Sequence, residues 1–133
     1  MLKILVGLVL VGHGLGHSMG ILQTLRVATV NPQWHGDSWI LSGAGPTVTQ
    51  TVGVFLWSIA LIGFALAAAV IFGWLPESYF AALAVAASVA SLAGIVFFPI
   101  AFPTISTLGA LAIDIVTLAA VIWYQWEPSD LAV

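Results

Sequence analysis

Apolar residues fill the chain in four blocks, and the polar positions fall mostly between them. A helix crossing the hydrocarbon core takes about 20 apolar residues at about 1.5 Å rise each. The blocks run from about Leu2 to Leu25, Val48 to Gly73, Glu77 to Phe98 and Thr104 to Trp126. From Val48 to Trp126 the apolar run is nearly continuous, but Gly73-Trp74-Leu75-Pro76-Glu77 and Pro99-Ile100-Ala101-Phe102-Pro103 interrupt it. Proline removes a helix donor and pushes its predecessor out of the α region, so both stretches are turns. Pro76 suits the first turn of the third helix, where Glu77 meets the positive end of the dipole. The pattern predicts an all-α fold: one transmembrane four-helix bundle spanning residues 1–133.

Four spans put both termini on one face, here side A, together with the turn around Leu75. Side B holds the connection 26–47 and the turn around Ile100. Trp74, Tyr79, Trp123, Tyr124 and Trp126 gather at side A, and Trp34 and Trp39 at side B, as expected of rings at the headgroup level. Asn31-Pro32 and Gly43-Ala44-Gly45-Pro46 mark turns in the connection. Gln33 to Leu41 between them is expected to lie along the interface as a short amphipathic piece. His35-Gly36-Asp37-Ser38 reads as a turn with an exposed His, since a catalytic triad draws its members from separated segments. The first span, with two His and no small-residue cleavage site after it, is expected to remain in the mature protein.

Composition sharpens this picture by exclusion. Hydrophobic residues make up 62% and charged residues 5%, with two Lys or Arg and five Asp or Glu. Soluble domains carry about 25% charged residues, so a water-soluble globule is excluded. Lys3 and Arg26 are the only basic residues besides three His, too few to neutralise nucleic-acid phosphates. With no cysteine, disulfides, thiolate zinc sites, cysteine-held iron–sulfur clusters and c-type haem attachment are excluded.

The chemistry concentrates in Gly12-His13-Gly14-Leu15-Gly16-His17-Ser18-Met19-Gly20. At helical spacing His13 and His17 share a face, and Gly12, Gly16 and Gly20 form a small-residue row beside it. Such rows let helices approach closely in lipid, so these glycines are expected to pack against a neighbouring helix. Asp114 is the matching residue of the fourth helix. Counted from side B, it and His13 lie near the midplane, at heights differing by about 3 Å. No Lys or Arg is at that depth, so His13 and His17 are the expected partners of Asp114. A buried cluster of this kind is either interhelical glue or a functional site. Here His13, His17 and Asp114 are assigned as the candidate catalytic residues, with Trp57, Ser88, Ser91 and Thr117 as candidate ligand-binding residues. The i,i+4 His pair is half of a metal site, with Asp114 its single further ligand at that depth. No metal is assigned on so sparse a set.

The run His13-Gly14-Leu15-Gly16-His17-Ser18-Met19-Gly20 resembles the H-G-x-x-H-x-x-G first helix of small four-helix bacterial and archaeal membrane proteins that are distantly similar to DoxX-like proteins. Weaker likeness extends to Gly53-Val54-Phe55-Leu56-Trp57 and Thr107-Leu108-Gly109. The chain carries a second His where the DoxX pattern more usually has a basic residue. The resemblance implies a four-helix bundle with a lipophilic ligand such as a quinone, or a partner subunit. The expected location is the plasma membrane of a prokaryote, multi-pass, with cytoplasmic termini.

The leading functional expectation is a hydrophobic cavity in which the His/His/Asp site holds, or acts on, a lipophilic molecule: a quinone, isoprenoid or sterol-like compound. In an enzyme the His would serve as general base or acid. The alternative is a non-catalytic membrane subunit that assembles with itself or with a partner protein. Proton or ion conduction is a weaker third, because no continuous polar row joins side A to the midplane.

Overall fold

The computed structural model describes residues 1–131. Its helices are α1 (Leu2–Thr24), α2 (Pro46–Ile71), α3 (Phe80–Phe97) and α4 (Thr104–Leu118). A 3-10 turn over Glu77–Tyr79 leads into α3, and α4 runs on into a π-helical turn over Ala119–Trp123. No strand occurs among the described residues. Four helical segments, Leu2–Thr24, Pro46–Ile71, Glu77–Phe97 and Thr104–Trp123, are long and apolar enough to cross a membrane. The chain is thus an all-α, multi-pass membrane protein.

The helix ends follow local chemistry. Pro46 opens α2 behind Gly45, whose φ of 82° only glycine adopts without strain. Gly73, at φ 79°, closes α2: its N–H donates to the Val70 carbonyl, and the Trp74 N–H to the Ala69 carbonyl. Pro76 stands just before the 3-10 turn rather than inside a helix, and the α-helical part of the third span starts later than expected, at Phe80.

The helices pack in chain order, α1 on α2, α2 on α3 and α3 on α4, while α1 and α4 stay apart. Two apolar clusters fill the arc. Toward side A, Phe64, Ile71 and Phe80 pack with the alanines of α2 and α3. Toward side B, Trp57, Phe98 and Trp34 form the second cluster. Trp57 is wholly buried and sits between glycines of two helices. A Cβ at Gly20 would lie 3.0 Å from its ring, and one at Gly94 would fall inside contact distance. Backbone approach is closest where side chains vanish: a Cβ at Gly14 would lie 3.2 Å from the Leu61 carbonyl, and one at Gly63 2.8 Å from Ala87 Cβ.

These contacts correct the expectation for the glycine row. Gly20 packs against Trp57 and Phe102, but a Cβ at Gly12 or Gly16 would meet nothing within 4 Å. The close α1–α2 approach uses Gly14, on the other side of the helix. Gly12 and Gly16 border a cleft instead, and α4 stands too far off to press on them.

The side B connection is held by side-chain bonds to helix ends. Residues 33–41 form turns and bends, with no helix. Their polar groups serve the ends of other elements. Ser38 donates from its hydroxyl to the Phe97 carbonyl at 2.7 Å, and Trp39 Nε1 to the Val96 carbonyl at 2.6 Å. These two bonds satisfy carbonyls that the end of α3 leaves open. Trp34 is buried against Phe98, so of the two expected side B anchors only Trp39 is exposed. Gln23, buried in the last turn of α1, clasps the chain's return: its Oε1 accepts from the Val30 and Asn31 N–H groups, both at 2.8 Å, and its Nε2 donates to the Asn31 carbonyl. Asn31 in turn donates to the Ile100 carbonyl at 2.7 Å, tying the connection to the α3–α4 turn.

Candidate functional site

The open side of the arc, between α1 and α4, is where the chemistry lies. Asp114 is the sole residue of α4 that is buried, and its side chain is 0% exposed. Both carboxyl oxygens are engaged. Oδ1 lies 2.9 Å from His13 Nε2 across the seam, and Oδ2 accepts from the Ser91 hydroxyl of α3 at 2.5 Å. Three helices therefore meet at one carboxyl group. An acidic side chain at this depth needs such partners, because hydrocarbon offers none. The His13–Asp114 hydrogen bond joins α1 to α4 across the seam.

His17 behaves differently from the expectation. It does not bond to Asp114; its ring stands edge-on to His13, with centroids 4.9 Å apart, and stacks on Trp57 at 5.5 Å with an interplanar angle of 13°. The spacing that puts both His on one face also puts one of them a turn closer to side B, out of reach of the carboxyl. His17 is 3% exposed, and among the described residues neither of its ring nitrogens has a hydrogen-bond partner. Trp57 Nε1 and Ser88 Oγ are likewise unpartnered.

Beside the two His lies a cleft of about 390 Å³. Its α1 wall carries Gly12, His13, Gly16, His17 and Met19, its α4 wall Ser106, Gly109, Ala110 and Ile113, and Val30, Ile95 and Phe102 close it toward side B. Gly12, Gly16, Ser106 and Gly109 are exposed at its rim, so it opens sideways, where a bilayer would lie. The missing Cβ atoms of Gly12 and Gly16 create this space.

The four expected ligand-binding residues divide. Trp57, Ser88 and Ser91 are fully buried and stand outside the cleft lining, Trp57 behind His17 and Ser91 behind Asp114. Thr117 lines a separate cavity further toward side A, with Val6, Leu10 and Val116. Sequence reasoning missed the α4 wall. Its signal was present as Ser106, Gly109 and Ala110, small residues at i, i+3 and i+4. Among the described residues no group of three His, Asp or Glu side chains gathers closely enough to hold a metal ion.

Comparison with protein-family models, with curated proteins and with solved structures finds no match for this chain.

Proposed function

We propose that the protein binds a lipophilic molecule, of the quinone, isoprenoid or sterol-like class, that enters the α1–α4 cleft from the bilayer and presents its polar head to His17 and the His13–Asp114 pair. The observation that carries this reading is the state of His17. It lines an apolar cleft, almost wholly buried, with a donor and an acceptor both unused. A buried polar group left unpaired costs about 1–3 kcal/mol, and a ligand hydroxyl or carbonyl would recover that. The neighbouring His13–Asp114 pair is suited to give a proton to the ligand head or take one from it. The resemblance of the first-helix motif to DoxX-like proteins is part of the same proposal, and it adds quinones to the classes worth testing.

The test is binding to the purified protein in nanodiscs, read by native mass spectrometry, with menaquinone, geranylgeraniol and cholesterol as probes. At least one is expected to bind one-to-one. Two variants should weaken that binding at least tenfold: His17→Phe, which keeps the stack on Trp57 but removes both nitrogens, and Gly16→Leu, which fills the cleft. Failure of all three probes to bind the wild type, or binding unaffected by both variants, overturns the proposal.

A further inference from the structure

The cleft beside His17 is the upper part of a longer furrow. A second cavity, lined by Val9, Ala112, Val116 and Thr117, adjoins it and shares Ile113 with it. A third, ending at Val121 and Trp126, shares Val6, Leu10, Val116 and Thr117 with the second. All three lie along the seam where α1 and α4 fail to pack. The His13–Asp114 bridge crosses this seam but is itself buried; His13 lines the first cavity, and Asp114 lines none of the three. From the level of His17 to that of Val6 is eleven residues of α1, about 16 Å at helical rise. The furrow is thus long and mainly apolar, with His13, His17 and Ser106 toward its side B end and Thr117 as the polar side chain further toward side A.

Resting on the proposed function, we infer that the occupant is a single-chain lipid with an uncharged oxygen head, a long-chain or prenyl alcohol or carbonyl compound. Its head lies at His17 and its tail runs along the seam past Thr117 toward side A. Three features carry the assignment. A neutral imidazole offers one donor and one acceptor, which matches a hydroxyl group that also does both. The cleft wall contains no Lys or Arg, so a phosphate or carboxylate head would enter without a fixed counter-charge. The first two cavities meet at Ile113, and the second and third overlap at Val6, Leu10, Val116 and Thr117, so together they run along the helices in a shape that follows an extended chain rather than a rigid fused-ring molecule. In a bilayer the tail gains little by leaving the lipid, because lipid is as apolar as the furrow. Chain length should therefore act through fit, as a limit set by the furrow, rather than as a steady gain per methylene.

The experiment is competitive binding to the protein in nanodiscs with geraniol, farnesol, geranylgeraniol, geranylgeranyl diphosphate, palmitic acid and cholesterol. The neutral prenyl alcohols are expected to bind at least tenfold more tightly than the diphosphate, the fatty acid and the sterol. Thr117→Phe places a ring in the furrow about 10 Å beyond the level of the head. It should weaken geranylgeraniol at least fivefold and geraniol less than twofold. Val89→Phe, which adds a ring to the exposed face of α3, should change neither. Preference for cholesterol or for a charged head overturns the inference while leaving the proposed function standing, as does equal loss of short and long alcohols in Thr117→Phe. Absence of binding by every probe and by menaquinone overturns both.

Discussion

At the residue scale, the site depends on how two side chains, His13 and Ser91, divide one carboxyl group. Asparagine at position 114 can still accept from Ser91 through its carbonyl oxygen and donate to His13 through its amide. Leucine can do neither, and would leave two buried groups unpaired. We expect Asp114→Asn to lower stability by about 1 kcal/mol or less and Asp114→Leu by about 1–3 kcal/mol, measured by thermal unfolding in detergent. Only the Asn variant then separates loss of the titratable proton from loss of packing. His17 should show the opposite signature. Its nitrogens satisfy nothing in the protein, so His17→Phe, the variant expected to lose ligand, should unfold at the same temperature as the wild type or higher when no ligand is bound. A clear drop in its unfolding temperature would mean that the His17 nitrogens support the fold.

At the element scale, α1 presents two glycine faces with opposite roles. Gly14 lets α1 lie against the α2 backbone at Leu61 and Phe64, whereas Gly16 opens onto the cleft. Gly14→Leu should destabilise the bundle by about 1–3 kcal/mol through overpacking. Gly16→Leu should leave the unfolding temperature nearly unchanged and still abolish the cleft. Comparing the two by thermal melts in detergent checks the assignment, and equal destabilisation would mean that α4 closes onto α1 in the membrane. The sequence made this contrast hard to see. A Gly-xxx-Gly row reads as a helix contact wherever it occurs, and only the position of the next helix shows whether the row is covered. Here Gly14, flanked by the row, faces the partner, while Gly12 and Gly16 of the row face a gap and Gly20 meets Trp57 and Phe102.

At the scale of the whole molecule, the arc of helices closes through few links: the His13–Asp114 bond at mid-depth, the Asn31 bond to the Ile100 carbonyl at side B, and the contact of the Pro128–Leu131 turn with α1 at side A. Such a seam can part locally without unfolding the α1–α2–α3 core. The layout also assigns faces. Ser42 and Ile100 are exposed on side B and Ser78 on side A, and the chain has no native cysteine to interfere. Single cysteines at Ser42 and Ile100 should react with an impermeant maleimide from the same side of a sealed vesicle, and one at Ser78 from the other. Labelling of Ser42 and Ile100 from opposite sides would refute the four-span topology.

The number of spans, their borders within a few residues and the meeting of His13 with Asp114 follow from the sequence alone. Each depends on quantities that are local or counted along one axis: apolar length against bilayer thickness, proline and glycine at the breaks, and depth at a fixed rise per residue. The carboxyl's second partner, Ser91, the stack of His17 on Trp57 and the open seam were decided by tertiary structure. They depend on the rotation of each helix about its axis and on which neighbours it meets. With 62% of the residues apolar, helix faces toward lipid and toward protein read alike, so hydrophobic pattern says little about rotation. Packing of alanine and glycine in α2 and α3, and the bulk of Trp57 between Gly20 and Gly94, set those angles. They leave α4 packed on α3 with Asp114 as its one buried side chain, beside a cleft that no periodicity in the sequence announced.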